Sequence, residues 1–230
     1  MKKLEILSLV ALLGGLMVCS SAQAATCVVD HQKLTEALRA SVKPSGGPTN
    51  GGLDNNEWAA VVARDGTVCA ITYSGETVGD QWPASRAVAV EKAFTANGVS
   101  LPSVAISTAD LFASSRPGGS LYGVITSNPP NPKLLYEGNA STFGTADDPI
   151  TGKVAWGVIV FGGGLSLYDG SGVIGALGVS GDTSCADHNI AWRVRQKLGL
   201  DKVPAGVTDQ NNDAIIYDIG DDGKSASGFG

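Results

Sequence analysis

An α+β fold, one antiparallel sheet covered by helices, is what the sequence predicts, and three observations predict it. Two pairs of β-rich runs are each joined by a glycine-containing turn: residues 58–64 and 67–74 through Asp65-Gly66, and residues 165–168 and 173–179 through Asp169-Gly170-Ser171-Gly172. Glycine tolerates the positive φ that tight hairpin loops demand. Helical periodicity precedes and follows these hairpins instead of alternating with single strands, which favours an antiparallel sheet with helices on one face over a parallel one. Finally, about 206 residues remain once an N-terminal leader is set aside, enough for one domain with a full hydrophobic core.

Each element has its own local cause. Leu34, Leu38 and Val42 recur at helical spacing from about Asp30, so the chain after the leader opens with an amphipathic helix. Residues 44–56 are rich in glycine and asparagine and read as a loop. The first hairpin follows. Pro83 suits the first turn of the next helix, where its missing N–H is not needed, and that helix runs to Asn97 before Gly98. Ser107 or Thr108 opens a short helix, residues 121–125 read as a strand, residues 127–153 as a long polar loop, and residues 154–161 as another strand. Compact domains rarely carry so long a loop without a use. After the second hairpin, Gly181 breaks the strand and Asp182, Thr183 or Ser184 caps a helix to about Leu198.

Residues 1–24 carry Lys2 and Lys3, an apolar run from Leu7 to Val18 and Ala22-Gln23-Ala24, the pattern of a cleaved signal peptide. The run is short for a membrane span, and Val18 before Cys19 fits lipoprotein processing poorly. A periplasmic or secreted location is therefore expected. Without Lys2, Lys3 and Glu5 the chain has 14 basic and 21 acidic residues, a formal charge of −7. Such a chain does not seek nucleic acid or an anionic membrane. Cys27, Cys69 and Cys185 remain. In an oxidising compartment one disulfide among them is plausible, and three small buried thiols are the alternative.

The last helix can be read by face. Ala186, Ile190, Val194 and Leu198 form the stripe that should cover the sheet. His188 lies about 200° from Ile190 around the helix and shares a different face with Ser184, Cys185 and Trp192. That face suits a pocket or a subunit contact. His188 could serve as a metal ligand or general base, or could be a polar surface histidine beside an interface tryptophan. Trp82, Arg86 and Lys92 cluster around the second helix, where Arg86 and Lys92 could grip a carboxylate or pair with the many acids, and Arg116 is a lesser candidate for the same work. Gly162-Gly163-Gly164 lacks the Lys-Ser or Lys-Thr of a phosphate loop. Asp209, Asn211 and Asp213 begin like a calcium loop, but Ala214 stands where the turn glycine belongs and Gly220 where the bidentate glutamate belongs. No Cys-x-x-Cys-His is present, which excludes covalent c-type heme.

Three stretches, GGGLSLYDGSGVIGALGVSG with Asp187 after it, RAVAVEKAFTAN at residues 86–97 and PGGSLYGV at residues 117–124, resemble the GlcG/HbpS-like heme-binding family, a domain also found at the C-terminal end of PduO-type adenosyltransferases. The resemblance covers nearly all of the chain after the leader. It implies a profilin-like or PAS-like five-stranded antiparallel sheet in a domain over residues 25–204, a homo-oligomer, and heme as ligand, with residues 205–230 an irregular acidic extension. Termini packed together in such a fold favour a Cys27–Cys185 disulfide. Heme binding would draw on His188 at the iron and on Trp82, Arg86, Lys92, Arg116, Asp187 and Trp192 around the ligand. With His31 and His188 the only histidines, bis-histidine ligation would need both, or would form across subunits.

Three function classes stay open: an exported heme- or tetrapyrrole-binding protein, a module for a small organic acid using the same cations without iron, and an enzyme acting on a small metabolite or on heme through Asp187 or His188. The sequence lacks the nucleophile, base and orienter logic that would single out the enzyme, so a binding protein is the leading expectation.

Overall fold

The computed structural model describes residues 26–43, 50–217 and 220–221. The elements in order are α1 (His31–Arg39), β1 (Trp58–Ala63), β2 (Val68–Tyr73), α2 (Ser85–Val99), three one-turn helices α3 (Phe112–Ser115), α4 (Val124–Ser127) and α5 (Pro132–Leu135), then β3 (Gly164–Tyr168), β4 (Val173–Ser180) and α6 (Ser184–Lys197). The expected leader lies outside the described residues, and so do residues 218–219 and 222–230 of the expected acidic extension.

Both hairpins form as expected. β1 pairs with β2 and β3 with β4, and β1 joins the two hairpins by pairing with β4 along Trp58–Ser180 to Ala63–Gly175, giving the antiparallel order β2-β1-β4-β3. Gly66 takes the positive φ (+89°) that the first turn requires. Asp30 caps α1 by accepting from the Lys33 N–H at 2.9 Å, and the Thr183 hydroxyl caps α6 by accepting from the Ala186 N–H.

The described residues form four strands in this sheet, not five. Residues 154–161 are extended, but their backbone groups bond elsewhere. Val158 N–H reaches the Asn128 carbonyl, Asn131 N–H the Trp156 carbonyl, and Ile159 N–H the Thr95 hydroxyl; only Val154 makes a bridge, to Thr67. Residues 121–125 are turn leading into α4, with Leu121, Tyr122 and Ile125 exposed. Helices also cover both faces rather than one. The alternation along β1 sends Ala59 and Val61 into a core with α1 and α6, and Trp58, Ala60 and Val62 into a second core with α2. On the second face α2 lies almost on the strand: a Cβ on Gly178 would sit 1.9 Å from the Ala89 carbonyl oxygen, so only glycine fits there.

The long segment after α4 has a structural use. It delivers Leu135 and Ile150 into the α2 core and Asp148 to Arg86. The disulfide also departs from expectation: Cys27 pairs with Cys69, with Cα atoms 5.4 Å apart, and Cys185 is free. The cause is the course of α1, which runs along β2 with Thr35 against Thr72 and Arg39 against Gly75, so Cys27, four residues before α1, falls over the start of β2. Cys185 follows Ser180, which pairs with Trp58 at the opposite end of the sheet.

Candidate functional site

Arg86 and Lys92 project from α2 into dry surroundings. Arg86 is 1% exposed. Its Nε donates to Asp148 at 2.9 Å, a second guanidinium nitrogen donates to the same carboxylate, a third donates to the Leu135 carbonyl, and the ring of Phe143 stacks 3.9 Å away. Lys92 is fully buried and its Nζ donates to Asp187 at 2.6 Å and to the Val179 carbonyl at 3.0 Å. The other Asp187 oxygen accepts from the Gly181 and Asp182 N–H groups. These two cations, on which binding of a small carboxylate was to rest, are already neutralised and enclosed.

Glu57 completes the second cluster. It is fully buried, no donor among the described residues reaches either carboxyl oxygen, and the Asp187 carboxylate stands within hydrogen-bond reach as an acceptor for its proton. Desolvation, then the nearby Asp187 charge, pushes its carboxyl up to about 10, so it carries a proton at neutral pH. Burial pushes Asp187 up as well, while Lys92 and a backbone amide pull it back. The proton therefore resides on Glu57 and the negative charge on Asp187, facing Lys92.

His188 is not on the surface. It is 1% exposed, and burial lowers its ring to about 4, leaving the imidazole neutral. The Gly163 N–H donates to Nδ1 at 3.4 Å, so the one ring proton is assigned to Nε2, which is buried and faces the Asp213 backbone. A histidine that binds metal through Nε2 needs the reverse, a bare Nε2 and a protonated Nδ1 held by an acceptor. His31 is committed elsewhere, with its Nε2 2.8 Å from the Gly144 carbonyl oxygen. Trp192 is half-buried, 6.5 Å from His188 between ring centres, with the Arg195 guanidinium 4.7 Å from its indole. Trp82 is half-exposed and offers its carbonyl to the Trp58 indole N–H.

A cavity of about 340 Å³ opens beside the first turn of α6, at the lower end of the size of small-molecule sites. Ala109, Phe112, Phe161 and Gly162 line it together with Ser184 and Cys185 of α6 and Ile215, Ile216 and Tyr217 from the segment after it. Its walls are mostly apolar. The Cys185 thiol and the Tyr217 hydroxyl are its soft and hard heteroatoms, close enough that Cys185, after burial, pushes the phenol upward. Arg116 is exposed, 5.4 Å from the ring of Phe112 and without a carboxylate partner among the described residues. No group of His, Cys, Asp and Glu among the described residues forms a metal centre, and no described helix is long and apolar enough to cross a membrane.

The segment carrying Ile215–Tyr217 is pinned from below. Asp213 is fully buried and holds Arg195 through two bonds of 2.6 and 2.7 Å, and Ala105 bridges to Gly206. Of the residues expected at the site, Arg116 and the turn bearing Asp187 and His188 lie near this cavity. Arg86 and Trp82 do not. Phe112, Phe161 and Tyr217 went unnoticed because apolar residues more than a hundred positions apart leave no local pattern.

The family model described as haem degrading protein HbpS-like matches residues 56–195, more than half of the 230. The chain belongs to the HbpS-like family. Among curated proteins no sequence matches. Among solved structures, the chain resembles a PduOC–heme complex at 23% identity and a TM-score of 0.50, covering 75% of this chain and 94% of that one. It also resembles the Klebsiella pneumoniae protein ORFY at 21% identity and a TM-score of 0.52, covering 80% and 97%. At these identities the likeness establishes the HbpS-like fold. The family match stops at Arg195, so the wall formed by Ile215–Tyr217 lies beyond it.

Proposed function

We propose that this HbpS-like chain binds heme in the cavity between Phe112, Phe161 and Ile215–Tyr217. The observation that carries the reading is the cavity itself: aromatic and branched apolar walls suit a flat porphyrin face, and the Cys185 thiol and Tyr217 hydroxyl among its lining groups are of kinds that ligate heme iron. Family membership and a relative crystallised with heme support it. Arg116, free beyond Phe112, suits a propionate. When bound, heme would supply an iron centre for ligand or electron chemistry; Phe112, Phe161 and Ile215–Tyr217 would enclose it, Cys185 or Tyr217 would offer a donor atom, and Arg116 the cation.

The reading extends to export, supported by the leader pattern of residues 1–24 and by the Cys27–Cys69 disulfide, a bond of oxidising compartments. It extends also to sensing or sequestration of heme, to assembly as a homo-oligomer, which sedimentation tests, and to a profilin-like ancestry of the sheet. The binding test is a titration of the full chain with hemin followed at the Soret band. The expected result is saturation at one heme per chain; a band that grows without saturating sinks the reading.

A further inference from the structure

We propose that the Cys185 sulfur is the protein's ligand to the heme iron, with the Tyr217 hydroxyl beside it as hydrogen-bond donor to that sulfur. The site then spans the family domain and the chain beyond it. This inference rests on the heme reading above and goes beyond it by naming the ligand.

Three features of the molecule select the sulfur. Cys185 lines the cavity and is outside the disulfide, so its sulfur is available. His188, the obvious alternative, does not line the cavity, is closed from solvent, and has its Nδ1 taken by the Gly163 N–H. Tyr217 is the other donor on the wall, but it is 69% exposed and its phenol keeps its proton near neutral pH. A protonated phenol is a poor ligand and a good hydrogen-bond donor. Ligation of ferric heme releases the thiol proton to solvent and displaces one iron-bound water as the sulfur–iron bond forms, with no change in oxidation state. The phenol then donates to the sulfur, a second-sphere contact of the kind that tunes a metal ligand. The partner group comes from a segment that Asp213 and Arg195 hold in place.

The test uses the full chain and four proteins: wild type, Cys185→Ser, Tyr217→Phe and His188→Gln. Each is titrated with hemin, and the ferric complex and its reduced carbon monoxide adduct are recorded by absorption and electron paramagnetic resonance. A second measurement follows alkylation of Cys185 by iodoacetamide, read by peptide mass, with and without iron-free protoporphyrin. Wild type is expected to show the thiolate signature. Cys185→Ser should lose it and bind hemin at least ten-fold more weakly, Tyr217→Phe should keep the ligand with a shifted spectrum, and His188→Gln, where it folds, should match wild type. Protoporphyrin should protect Cys185. A saturable complex with a nitrogen-ligand spectrum, unchanged in Cys185→Ser, overturns this ligand while leaving heme binding intact. Absence of saturable binding overturns both, and failure of protoporphyrin to protect Cys185 overturns the placement in this cavity.

Discussion

Replacing Lys92 by methionine separates a structural ion pair from a ligand-binding one. Lys92 is fully buried, and its Nζ lies 2.6 Å from Asp187, which is itself 1% exposed. The variant leaves the Asp187 charge in a dry site with only its backbone amides, and breaking a buried pair on one side costs about 3–5 kcal/mol. For a urea slope of about 2–3 kcal/mol/M, the unfolding midpoint should fall by roughly 1–2 M. Glu57→Gln in the same cluster should change stability by less than about 1 kcal/mol at pH 7, because a protonated carboxyl is exchanged for a neutral amide of the same shape. The pH dependence has a definite sign. Glu57 holds its proton up to about 10 in the folded chain against 4.5 ordinarily, so its contribution is complete below about pH 4.5 and is lost as pH rises toward 10. Glu57→Gln cannot lose that proton and should gain on wild type steadily from pH 5 to 9. Urea titrations at several pH values provide the assay. A Lys92→Met midpoint equal to wild type, or a Glu57→Gln curve parallel to it, refutes the assignment of charge and proton within this cluster.

Other perturbations test other parts. Gly178→Ala should cost at least ~3 kcal/mol, since its Cβ would meet the Ala89 carbonyl oxygen at 1.9 Å; thermal melting reads this directly. Cys69→Ala opens a 42-residue separation and should destabilise by up to about 4 kcal/mol by loop entropy, a difference that vanishes when wild type is reduced. Arg86→Met should destabilise by about 3–5 kcal/mol through the orphaned Asp148, with hemin affinity of the folded protein unaltered. Arg116→Ala should leave the melting temperature unchanged and weaken hemin binding a few-fold, as loss of an exposed charge contact does.

Local chemistry made much of the fold legible. Asp65-Gly66 and the Asp169–Gly172 turn announced two hairpins that pair as expected, and of the stripe Ala186, Ile190, Val194 and Leu198, the last three pack in or against the core with Ala186 also buried. What failed depended on long-range partners. Residues 154–161 have strand-like composition, yet the groups that satisfy their backbone come from Asn128 and Thr95. The cysteines carried no sign of their pairing, because α1 rather than the termini decides it. At the site the residue types were right and their surroundings were not: Arg86 and Lys92 found Asp148 and Asp187, acids 62 and 95 residues away. His188 was placed correctly off the sheet-facing stripe, but the glycine-rich turn and Asp213 close over it, and no helical-face argument contains them.

Hemin titration of a chain ending at Ala214, compared with the full chain, tests the central claim most directly. Removing Ile215–Tyr217 takes away one wall of the cavity while leaving Asp213 bound to Arg195 and the family domain whole. At least a ten-fold loss of hemin affinity, with thermal stability retained, is the predicted result; affinity equal to that of the full chain would contradict the placement of heme in this cavity.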